Sequence, residues 1–454
     1  MSTPVERAQV PPASRRRVAV IGAGYVGLPT AAVLAHFGHQ VVLAERDPAR
    51  FELLARGDMP IVENGLAELF GDAVAAGNLR VVQRAVDATV DAQFVFLCVP
   101  TPQDDDGSAD LSYVEAVAAE IADHLAPGAV VVNKSTVPVG TARLVEAITG
   151  RGDVAVVSNP EFLREGTAVR DSLHPDRIVV GADDPRAASR VGELFAPTGA
   201  PVIVTDKVTA ETIKYAANAF LATKLSFVNA LAGLCESLGA DVRDVVLGLG
   251  YDKRIGFDFL RPGPGWGGSC LPKDTSALIH IAQRAGYDFA LLRGAVSSND
   301  DQLARVVAKV VAAAPPDRAA ADRLDGVTVA VWGLTFKADT DDRRSSPAVA
   351  IARRLLDLGA AVRAYDPTVP PSPRAVPGRA ADDLHGMTLC ADPYDACRAA
   401  AAAVLLTEWA DFRDLDFTKV RDLMARPSVI DARNLLDPAA LRRVGFTYTG
   451  VGRP

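Results

Sequence analysis

Short apolar runs alternate with helix-like stretches from residue 17 onward. The run Arg17–Ile21 has the length of a buried strand, the helical pattern Leu28–Phe37 follows it, and a second run lies at Gln40–Ala44. Further runs of strand length are Phe94–Val99, Ala129–Asn133 and Val154–Val157. Strands that alternate with helices predict a mainly parallel sheet with helices on both of its faces.

The middle of the chain has a different periodicity. A helical pattern continues from Thr209 to Leu238, which predicts one helix on the order of 45 Å long. Beyond it, Val327–Trp332 and Ala361–Tyr365 are typical of strands, and a helix is expected between them from Pro347 to about residue 358. Later strands are expected at Ala403–Leu406 and Ser428–Ile430. The last third of the chain therefore repeats the strand–helix–strand order of the beginning.

These patterns predict an α/β protein with two doubly wound, Rossmann-like domains joined by a long central helix. The expected segments are a disordered arm over 1–16, a first doubly wound domain over 17–205, a central helical and dimerisation domain over 206–311, a linker over 312–324 and a second doubly wound domain over 325–454. A long apolar helix is also a natural dimer surface, so we expect a homodimer or a larger assembly.

Composition narrows the possible function classes. The 454 residues are 49% apolar and 23% charged with a net charge of −8, which is typical of a globular protein and argues against nucleic-acid binding. We expect neither a signal peptide in residues 1–17 nor a transmembrane segment or membrane partner elsewhere. The five cysteines form no CxxC pair, and their odd number favours a reducing, cytoplasmic compartment. The six histidines are scattered, so no metal site is expected.

The first strand leads into a glycine-rich turn, Gly22-Ala23-Gly24-Tyr25-Val26-Gly27. In a GxGxxG turn the first glycine allows the tight bend, the second lets a pyrophosphate approach the backbone, and the third lets the helix and strand pack closely. Glu45 ends the second strand, where a carboxylate accepts hydrogen bonds from ribose hydroxyls and repels a 2′-phosphate. The pattern therefore indicates NAD; Arg46 leaves NADP open, and an ordinary glycine-rich turn is the alternative.

A second glycine-rich segment, Gly265-Trp266-Gly267-Gly268-Ser269-Cys270, ends in a cysteine at the start of an expected helix. Pro272 suits the first helical turn, and Thr275–Gly286 carries a helical pattern. A thiol in this place faces unpaired backbone N–H groups and the positive end of the helix dipole, both of which favour the thiolate. Lys273 and Asp274 add one charge of each sign. These surroundings favour a nucleophile over an ordinary buried thiol.

Two polar residues of the long helix, Lys214 and Asn218, lie four residues apart and so share one face. A lysine in such apolar surroundings usually extends its ammonium group to solvent, and that remains the alternative to a function. Prolines and small polar residues also follow three of the expected strands, in the segments after residues 99, 133 and 157. Ligands of doubly wound sheets bind beyond these carboxyl ends of the strands, so a site is expected there.

Together the motifs resemble the UDP-glucose/GDP-mannose dehydrogenase family of nucleotide-sugar dehydrogenases, from Val18 to about Pro438. The matching segments, in the order of the family, are GxGxxG, VPTP, KSTVPVGT, NPEFLREG, IKYAANAFLATK, GWGGSCLPKD, GLTFKADTDD and DARN. The motifs KSTVPVGT and NPEFLREG resemble the branch that acts on UDP-glucose more than those for UDP-N-acetylmannosamine or GDP-mannose. In two departures, Trp266 stands where many members have phenylalanine and Glu45 where many have aspartate.

The resemblance implies a four-electron oxidation of UDP-glucose to UDP-glucuronate, with two NAD reduced in turn. Cys270 would add to the intermediate aldehyde, and the resulting thiohemiacetal would be oxidised to a thioester and hydrolysed. The catalytic residues it implies are Cys270, Lys214, Asn218, Asp274, Glu161 and Thr136. Lys214 and Asn218 would hold the reacting oxygen and Glu161 would activate the hydrolytic water. Whether Lys214 or Asp274 takes the first proton stays open.

The resemblance implies that the domain over 17–205 binds NAD, that the central domain over 206–311 carries the catalytic cysteine and that the domain over 325–454 binds the UDP-sugar. It also implies two sets of binding residues. Those for the cofactor are Gly22, Gly24, Tyr25, Val26, Gly27, Glu45, Arg46, Arg50, Thr101, Thr136, Glu165, Lys273 and Arg344. Those for the substrate are Glu161, Phe162, Leu163, Arg164, Lys214, Asn218, Arg254, Phe259, Leu260, Gly265 and Lys337. Lys337 and Arg344 would be cationic contacts to UDP, and Arg254 would reach the sugar site of a neighbouring subunit. For Arg343 and Arg344 a surface ion pair with a nearby aspartate is the alternative.

Three other functions remain open at this point. The same chemistry could act on a UDP-N-acetylhexosamine or on GDP-mannose, because one sequence does not reveal the volume around C2 of the sugar. A sensor that binds NAD without catalysis would have no use for the set Cys270, Lys214, Asn218 and Asp274. A single-step alcohol dehydrogenase would make Cys270 superfluous.

Overall fold

In a computed structural model of the chain, residue 11 and residues 14–104, 106–314, 323–371 and 381–453 are described. Most of the expected arm over 1–16 and of the expected linker over 312–324 lies outside them. The described chain forms two compact units. The first comprises the residues up to Ala217 together with Ser276–Ala285, and the second comprises Asn218–Thr275 together with the residues from Gly286 onward. The domain boundaries expected at 206 and 325 stay predictions.

The first unit contains an eight-stranded sheet with the order β3-β2-β1-β4-β5-β6-β7-β8. Its strands are β1 (Arg17–Ile21), β2 (Gln40–Ala44), β3 (Leu79–Val82), β4 (Phe94–Leu97), β5 (Val130–Asn133), β6 (Ala155–Ser158), β7 (Ile178–Gly181) and β8 (Val202–Thr205). The first six strands are parallel and have the order of a dinucleotide-binding sheet. The strand β7 pairs antiparallel to β6, and β8 extends the sheet parallel to β7.

Helices cover both faces of this sheet. They are α1 (Gly27–His36), α2 (Pro48–Ala55), α3 (Leu66–Ala75), α4 (Ala85–Thr89), α5 (Ser112–Ile121), α6 (Thr141–Thr149), α7 (Ala168–Leu173) and α8 (Pro185–Leu194), with short 3-10 turns at Ala122–His124 and Ala196–Thr198. Alternate residues of β4 enter different cores: Phe94 and Phe96 pack on the side of α1, and Val95 and Leu97 on the side of α5. Burial on both faces explains why the central strands are continuous apolar runs.

The second unit contains a six-stranded parallel sheet with the order β11-β10-β9-β12-β13-β14. Its strands are β9 (Thr328–Trp332), β10 (Ala361–Tyr365), β11 (Thr388–Leu389), β12 (Ala402–Leu405), β13 (Ser428–Asp431) and β14 (Thr447–Gly450). The remaining helices of the chain are α9 (Lys207–Leu238), α10 (Val242–Gly250), α11 (Leu271–Arg284), α12 (Ala290–Ala313), α13 (Pro347–Asp357), α14 (Pro393–Ala396), α15 (Phe417–Leu423) and α16 (Pro438–Arg443), with 3-10 turns at Ala381–Leu384 and Ala410–Asp414. The helices α9 and α11 contribute residues to both units.

The expected α/β class, with two Rossmann-like sheets and a long central helix, is confirmed. The expected strands all occur, with ends displaced by one or two residues: the run Phe94–Val99, for example, stops pairing at Leu97. Five strands were not predicted, namely β3, β7, β8, β11 and β14. They have two to four residues each, and β8 is largely exposed, so neither length nor an alternating pattern distinguishes them from loops.

The 32-residue helix α9 has two different faces. Polar residues such as Glu211, Asn218 and Asn229 are buried on one face. Four large apolar residues are exposed on another, with 70% of Phe220, 58% of Phe227, 53% of Leu234 and 71% of Leu238 accessible. Their spacing keeps them within one stripe at 3.6 residues per turn. This stripe, defined by those four residues, is an unpaired apolar surface of the second unit.

By length and composition alone, α9 could also cross a membrane, and it is the one helix among the described residues that could do so. Its most apolar window has a mean hydropathy of 1.2, and 44% of that window is buried. No stretch of this kind was expected from the sequence, so α9 is an exception to that expectation. A core helix of a globular protein has the same properties, which makes a single such helix weak evidence for a membrane span.

The C-terminal segment closes the second unit against α9 and α10. The backbone N–H of Gly452 donates to Glu236 Oε1 at 2.6 Å, and its carbonyl accepts from the N–H of Val242 at 2.8 Å. Gly452 has a φ of +69°, and a Cβ atom there would lie 2.7 Å from the Cβ of Ala232. Only glycine therefore combines this backbone conformation with this close approach.

Replacing Gly452 by alanine is expected to lower the free energy of unfolding by about 3 kcal/mol, because strain from the positive φ adds to a clash with α9. Gly239→Ala is the matched control. Its φ of +71° is nearly the same, but a Cβ atom at this position would have no other atom within 4 Å. That variant should lose only about 1 kcal/mol. Denaturant unfolding of both variants makes the comparison, and equal losses would contradict the role given to the close approach.

Candidate active site

The glycine-rich turn after β1 has the geometry of a dinucleotide cradle. A Cβ at Gly22, whose φ is +99°, would lie 2.5 Å from the carbonyl oxygen of Cys98, and one at Gly27 would lie 1.8 Å from that of Gly22. Gly24 has no atom within 4 Å of its Cβ position, so the backbone there is open to a ligand. The helix α1 begins directly after this turn, and Val26 at its N-cap supplies no side-chain hydrogen bond. The N–H of Leu28 donates to the carbonyl of Gly24 at 3.1 Å and Pro29 has no N–H, so α1 offers a pyrophosphate chiefly the positive end of its dipole, beside the open backbone of Gly24.

Glu45 lies at the carboxyl end of β2 and is held in place by its neighbours. Its Oε2 accepts from the N–H of Ala23 at 3.3 Å, and its Oε1 accepts from the N–H of Asp47 at 2.9 Å. Arg50 reaches across the turn, with its Nη2 2.7 Å from the carbonyl of Ala23 and its Nε 3.5 Å from Glu45 Oε2. Arg46 lies directly after Glu45 in the sequence. An open pyrophosphate cradle beside a fixed carboxylate fits NAD.

Beyond the strands β4 to β6, the first unit buries the polar side chains that the sequence singled out. Lys214 Nζ donates to Glu161 Oε1 at 2.8 Å, and Glu161 Oε2 accepts from the N–H of Leu163 at 2.8 Å. Both side chains are at most 5% exposed. Thr101 Oγ1 donates to the carbonyl of Thr136 at 2.9 Å, which links the loops after β4 and β5. Lys214 is therefore a buried, paired lysine, and the solvent-directed alternative is wrong.

A second buried lysine lies in the same unit and was not predicted as a site residue. Lys134 Nζ donates to Asn159 Oδ1 at 3.0 Å and lies 5.2 Å from the ring centroid of Phe195. Burial lowers the pKa of Lys134 to about 8; the charge of Glu161 opposes that shift, and the charge of Lys214 adds to it. Lys134 belongs to the KSTVPVGT motif, but nothing in the sequence distinguishes a buried lysine from an exposed one there.

The segment 161–166, which is expected to contact the sugar, is anchored by residues far away in the sequence. Glu63 accepts from the N–H groups of Gly166 and Ala168 at 2.7 and 2.8 Å. Arg164 pairs with Asp171 at 2.8 Å. The Phe162 ring lies 3.7 Å from the guanidinium carbon of Arg177. Glu63 was missed as well, because a pairing across more than a hundred residues leaves no periodic signal.

In the second unit, Cys270 directly precedes the first residue of α11. Its carbonyl accepts the helical hydrogen bond from the N–H of Asp274 at 3.0 Å, so Cys270 occupies the N-cap position, as the sequence predicts. The side chain is half-buried, and its Sγ lies 3.5 Å from Ser269 Oγ. The positive end of the helix dipole favours a thiolate in this position.

Burial excludes ionisation of three of the other thiols at ordinary pH. It raises the pKa of Cys98 to about 12, that of Cys390 to about 11 and that of Cys397 to about 12. Cys235 is 3% exposed and lies within the core. The burial pattern therefore separates Cys270 from the other four cysteines.

Asp274 and Asn218 form the polar neighbourhood of Cys270 within the second unit. Asn218 Nδ2 donates to Asp274 Oδ2 at 2.6 Å, and Lys273 Nζ donates to Asp274 Oδ1 at 2.5 Å. Only 1% of Asp274 is exposed, so both of its oxygens depend on these partners. Along α9, Asn218 follows Lys214 by four residues, which gives the two side chains a common face.

The loop before Cys270 is held by the amide side chain of one residue of α12 and by the hydroxyl of one residue of α9. Asn299 of α12 brackets the backbone of Trp266: its Oδ1 accepts from the N–H at 2.8 Å, and its Nδ2 donates to the carbonyl at 3.0 Å. The indole N–H of Trp266 donates to Ser226 Oγ at 2.8 Å, and Ser226 in turn donates to the carbonyl of Ala295. Trp266 is 7% exposed and Ser226 3%. These contacts fix the loop from both sides.

The same loop packs against the loop that follows β9. A Cβ at Gly267 would lie 2.1 Å from the carbonyl oxygen of Ser345, and one at Gly268 would lie 2.8 Å from the Phe336 ring. Two glycines in succession are therefore required by close packing. The structure thus brings the GWGGSC and GLTFKADTDD motifs together within one unit.

The expected UDP-contacting residues lie on that second loop. Lys337 is half-buried, with its Nζ 5.4 Å from the Phe336 ring centroid. Arg344 is 58% exposed in its side chain and pairs with Asp342 at 2.7 Å. Arg343 pairs with Asp383 at 3.2 Å. Both arginines thus form the ion pairs of the alternative, and the pair of Arg344 is the one at the surface; its UDP contact stays a prediction.

The sugar-pocket residues expected in the second unit occupy the segment before Cys270. Phe259 has a φ of +59°, Leu260 is buried, and Gly265 has a φ of +133° with its Cβ position 3.0 Å from Asn299 Oδ1. Arg254 lies apart from them, 89% exposed and paired with Asp252 at 2.6 Å. An exposed arginine in this position is available to a neighbouring subunit.

Three sequence models of the UDP-glucose/GDP-mannose dehydrogenase family match the chain. The NAD-binding domain matches residues 16–199, the central domain residues 208–301 and the UDP-binding domain residues 330–438. Together they cover the cradle, the Cys270 loop and the loop of Lys337.

Several characterised proteins are similar over nearly their full lengths. UDP-glucose 6-dehydrogenase of Rhizobium meliloti is 44% identical over 96% of this chain and all of that protein, and its counterpart in Pseudomonas aeruginosa is 45% identical over 96% and 98%. Among solved structures, a UDP-glucose dehydrogenase of Pyrobaculum islandicum has a TM-score of 0.87 and 36% identity over 98% of this chain and all of that one. A UDP-D-ManNAc dehydrogenase of Pyrococcus horikoshii has a TM-score of 0.82 and 28% identity over 96% and 99%.

Replacing Trp266 by phenylalanine removes the indole N–H that Ser226 accepts, and Ser226→Ala leaves that N–H buried without a partner. Each variant is expected to lower the free energy of unfolding by about 1–3 kcal/mol. The double variant should lose clearly less than the sum of the two, because both single changes break the same Trp266–Ser226 hydrogen bond. The bond from Ser226 to Ala295 is lost in Ser226→Ala and in the double variant alike, so it cancels in the cycle. Denaturant unfolding of all four proteins completes the cycle, and additive losses would show that the bond contributes nothing.

Proposed function

The chain belongs to the UDP-glucose/GDP-mannose dehydrogenase family, and from this premise we propose that it oxidises UDP-glucose to UDP-glucuronate through a covalent intermediate on Cys270. It is an NAD-dependent oxidoreductase, and its substrate is a UDP-sugar. The observation that carries the covalent route is the half-buried thiol at the N-cap of α11 beside the Asn218–Asp274 pair. A hydride transfer from alcohol to aldehyde needs no nucleophile, whereas a second oxidation does.

The protein supplies position and charge to this reaction. The cradle of Gly22, Gly24 and Gly27 would hold NAD, which would supply the hydride acceptor for each of the two oxidations. Lys214 and Asn218, which share a face of α9, hold the C6 oxygen of the sugar as it loses its proton. Asp274 is already hydrogen-bonded to Asn218 and Lys273, so it orients the amide and balances the local charge.

Cys270 acts on the aldehyde that the first oxidation produces. Its thiolate sulfur forms a bond to the aldehyde carbon, and the former carbonyl oxygen takes back the proton that it lost in the first oxidation to become the hydroxyl of a thiohemiacetal. The second oxidation removes a hydride from that carbon and a proton from that hydroxyl, which leaves a thioester. Lys214 and Asn218 stabilise the negative charge on the oxygen in both steps.

Glu161 acts in the hydrolysis of the thioester. It accepts a proton from water as the water oxygen bonds to the acyl carbon, and the carbon–sulfur bond then breaks to return the Cys270 thiolate. Overall, one UDP-glucose, two NAD+ and one water give one UDP-glucuronate, two NADH and three protons. Thr136, whose carbonyl is fixed by Thr101, belongs to the loop expected beside this water.

A second candidate is the same chemistry on a UDP-N-acetylhexosamine. The similarity to the UDP-D-ManNAc dehydrogenase of Pyrococcus horikoshii is the observation that supports this second substrate class. The higher identity to UDP-glucose dehydrogenases over the full chain supports UDP-glucose.

The assembly that we propose is a homodimer formed through the exposed stripe of α9. Four large apolar side chains exposed on one helix are more than a monomer usually leaves uncovered. A second copy of the same stripe is a self-complementary partner for it. All five cysteines are free thiols, which supports action in the reducing cytoplasm.

With UDP-glucose and excess NAD, purified protein is expected to form two NADH per sugar consumed. Cys270→Ala should lower carboxylate formation by on the order of a thousandfold, because no acyl-enzyme can form. Cys235→Ala is the control: it removes a thiol of α9 that is buried in the core, and it should keep two NADH per sugar. One NADH per sugar, or full activity of Cys270→Ala, would contradict the covalent route. Two NADH only with UDP-acetamidosugars or GDP-mannose would change the substrate and keep the mechanism.

Phe227→Glu places a charge in the centre of the α9 stripe and is expected to convert a dimer to a monomer, as sedimentation equilibrium would measure. Val90→Glu is the control, since Val90 is 63% exposed in the first unit and outside the stripe. A dimer that survives Phe227→Glu would mean that another surface forms the assembly.

A further inference from the structure

The segment Pro262–Trp266 of the second unit is buried although it belongs to neither a helix nor a strand. Gly265 is half-buried, and the other four residues are buried. The segment connects the expected sugar contact Leu260 with the thiol of Cys270. A buried backbone N–H or C=O group without a partner is costly, so a segment of this kind needs hydrogen bonds from elsewhere in the fold.

Side-chain amides of two helices supply these hydrogen bonds. Asn229 of α9 accepts at its Oδ1 from the N–H of Gly263 at 2.8 Å, and Gln302 of α12 donates its Nε2 to the carbonyl of Gly263 at 2.7 Å. Both neighbours of this glycine are prolines, which have no N–H, so Gly263 carries the one amide donor of the tripeptide. Asn299 holds both backbone groups of Trp266 in the same manner.

The two amides that hold Gly263 are themselves fixed in the interior. Asn229 and Gln302 are each 2% exposed. Arg305 links them, with its Nη1 3.5 Å from the backbone carbonyl of Asn229 and 3.3 Å from Gln302 Oε1. A Cβ atom at Gly263 would lie 3.2 Å from Nη1 of Arg433, so this glycine is also closely packed. The backbone of Gly263 therefore has one defined position in the second unit.

A fixed backbone at Gly263 has a consequence for the residues next to it. Phe259 and Leu260, which precede it, and Gly265, which follows it, are the residues of this segment that are expected to line the sugar pocket. A segment that is ordered before its ligand arrives does not have to be ordered at the expense of binding free energy. Two buried amides committed to one glycine thus pre-organise a pocket, in addition to satisfying its backbone.

We propose that Asn229 and Gln302 are positioning residues of the sugar pocket, which hold the segment around Gly263 in the conformation that binds UDP-glucose. The proposal rests on the function proposed above, which assigns UDP-glucose as the substrate. Both side chains act through the backbone of Gly263 and not on the sugar itself.

The test compares Gln302→Met and Asn229→Leu with the wild type, because each change removes one of the two hydrogen bonds with little change in side-chain volume. Each variant is expected to raise the KM and the dissociation constant for UDP-glucose about tenfold, since binding must then order the segment. The kcat at saturating sugar should stay within about twofold of the wild-type value. The KM for NAD should not change, because the dinucleotide cradle belongs to the first unit.

Two further variants serve as controls. Asn229→Asp keeps an acceptor for the N–H of Gly263, near the cation of Arg305, and should restore the wild-type affinity for UDP-glucose. Glu236→Met is the matched control: Glu236 also lies on α9 and accepts from the N–H of a glycine, Gly452, but in the C-terminal segment. It should lower the free energy of unfolding and leave the affinity for UDP-glucose unchanged. An unchanged affinity in either Gln302→Met or Asn229→Leu, or an equal loss in Glu236→Met, would overturn the proposal.

Hydrogen exchange followed by mass spectrometry reports on the segment itself. Without sugar, peptides that cover residues 257–268 should exchange about tenfold faster in Asn229→Leu and Gln302→Met than in the wild type, because a hydrogen bond that orders the segment is lost. UDP-glucose should slow this exchange again. Exchange at the wild-type rate in the free variants would show that the amides do not order the segment, and would overturn the proposal.

Affinity and turnover together separate this proposal from the proposed function. If the wild type binds UDP-glucose and the two variants bind it about tenfold more weakly, but no NADH forms, the reaction is overturned and the positioning role stands. Formation of NADH with unchanged affinity in the variants would do the reverse. A protein that binds no nucleotide sugar would overturn both.

Discussion

The periodicity of α9 is the constraint on which the rest of the site depends. At 100° per residue, six of its polar residues lie on one side of the helix. Each of them is hydrogen-bonded to a loop, a glycine-rich segment or the C-terminal segment of its own unit, or to a proposed catalytic side chain there. These residues are Glu211, Lys214, Asn218, Ser226, Asn229 and Glu236. A shift of the helix by one residue would break all six contacts together. The exposed apolar stripe lies on a different side, so the same periodicity separates the site from the proposed dimer surface.

Much of this arrangement could be predicted from short motifs, because their residues act on their own neighbours. The open backbone at Gly24 and the N-cap position of Cys270 follow from the turn and helix patterns alone. The hydrogen bonds that Asn299 accepts from Trp266 and that Glu63 accepts from Gly166 could not be predicted. An asparagine or glutamate in a helix or loop is ordinary until the fold brings a distant backbone group to it. The burial of Lys134 was missed for the same reason.

The two sheets place an acid at the same position. Glu45 follows the second strand of the first sheet, and Asp366 follows the corresponding strand β10 of the second sheet. Asp366 is 1% exposed; its Oδ2 accepts hydrogen bonds from the backbone of Leu334 and Thr335 and from the indole of Trp409, while its Oδ1 accepts from Thr368. Glu45 likewise accepts from the backbone N–H of Ala23 in the turn after the first strand. In both domains the acid therefore fixes the turn that follows the first strand, and in the first domain it also lies beside an open cradle.

The thiol distribution has a consequence for the chemical fate of the protein. Burial suppresses the reactivity of four cysteines, and the fifth combines partial exposure with a helix N-terminus. Electrophiles and oxidants that enter from solvent are therefore expected to modify Cys270 before any other cysteine, and one such modification would remove the proposed nucleophile. On the proposed route, the placement that activates the residue toward an aldehyde also makes it the preferred target of peroxides and alkylating metabolites.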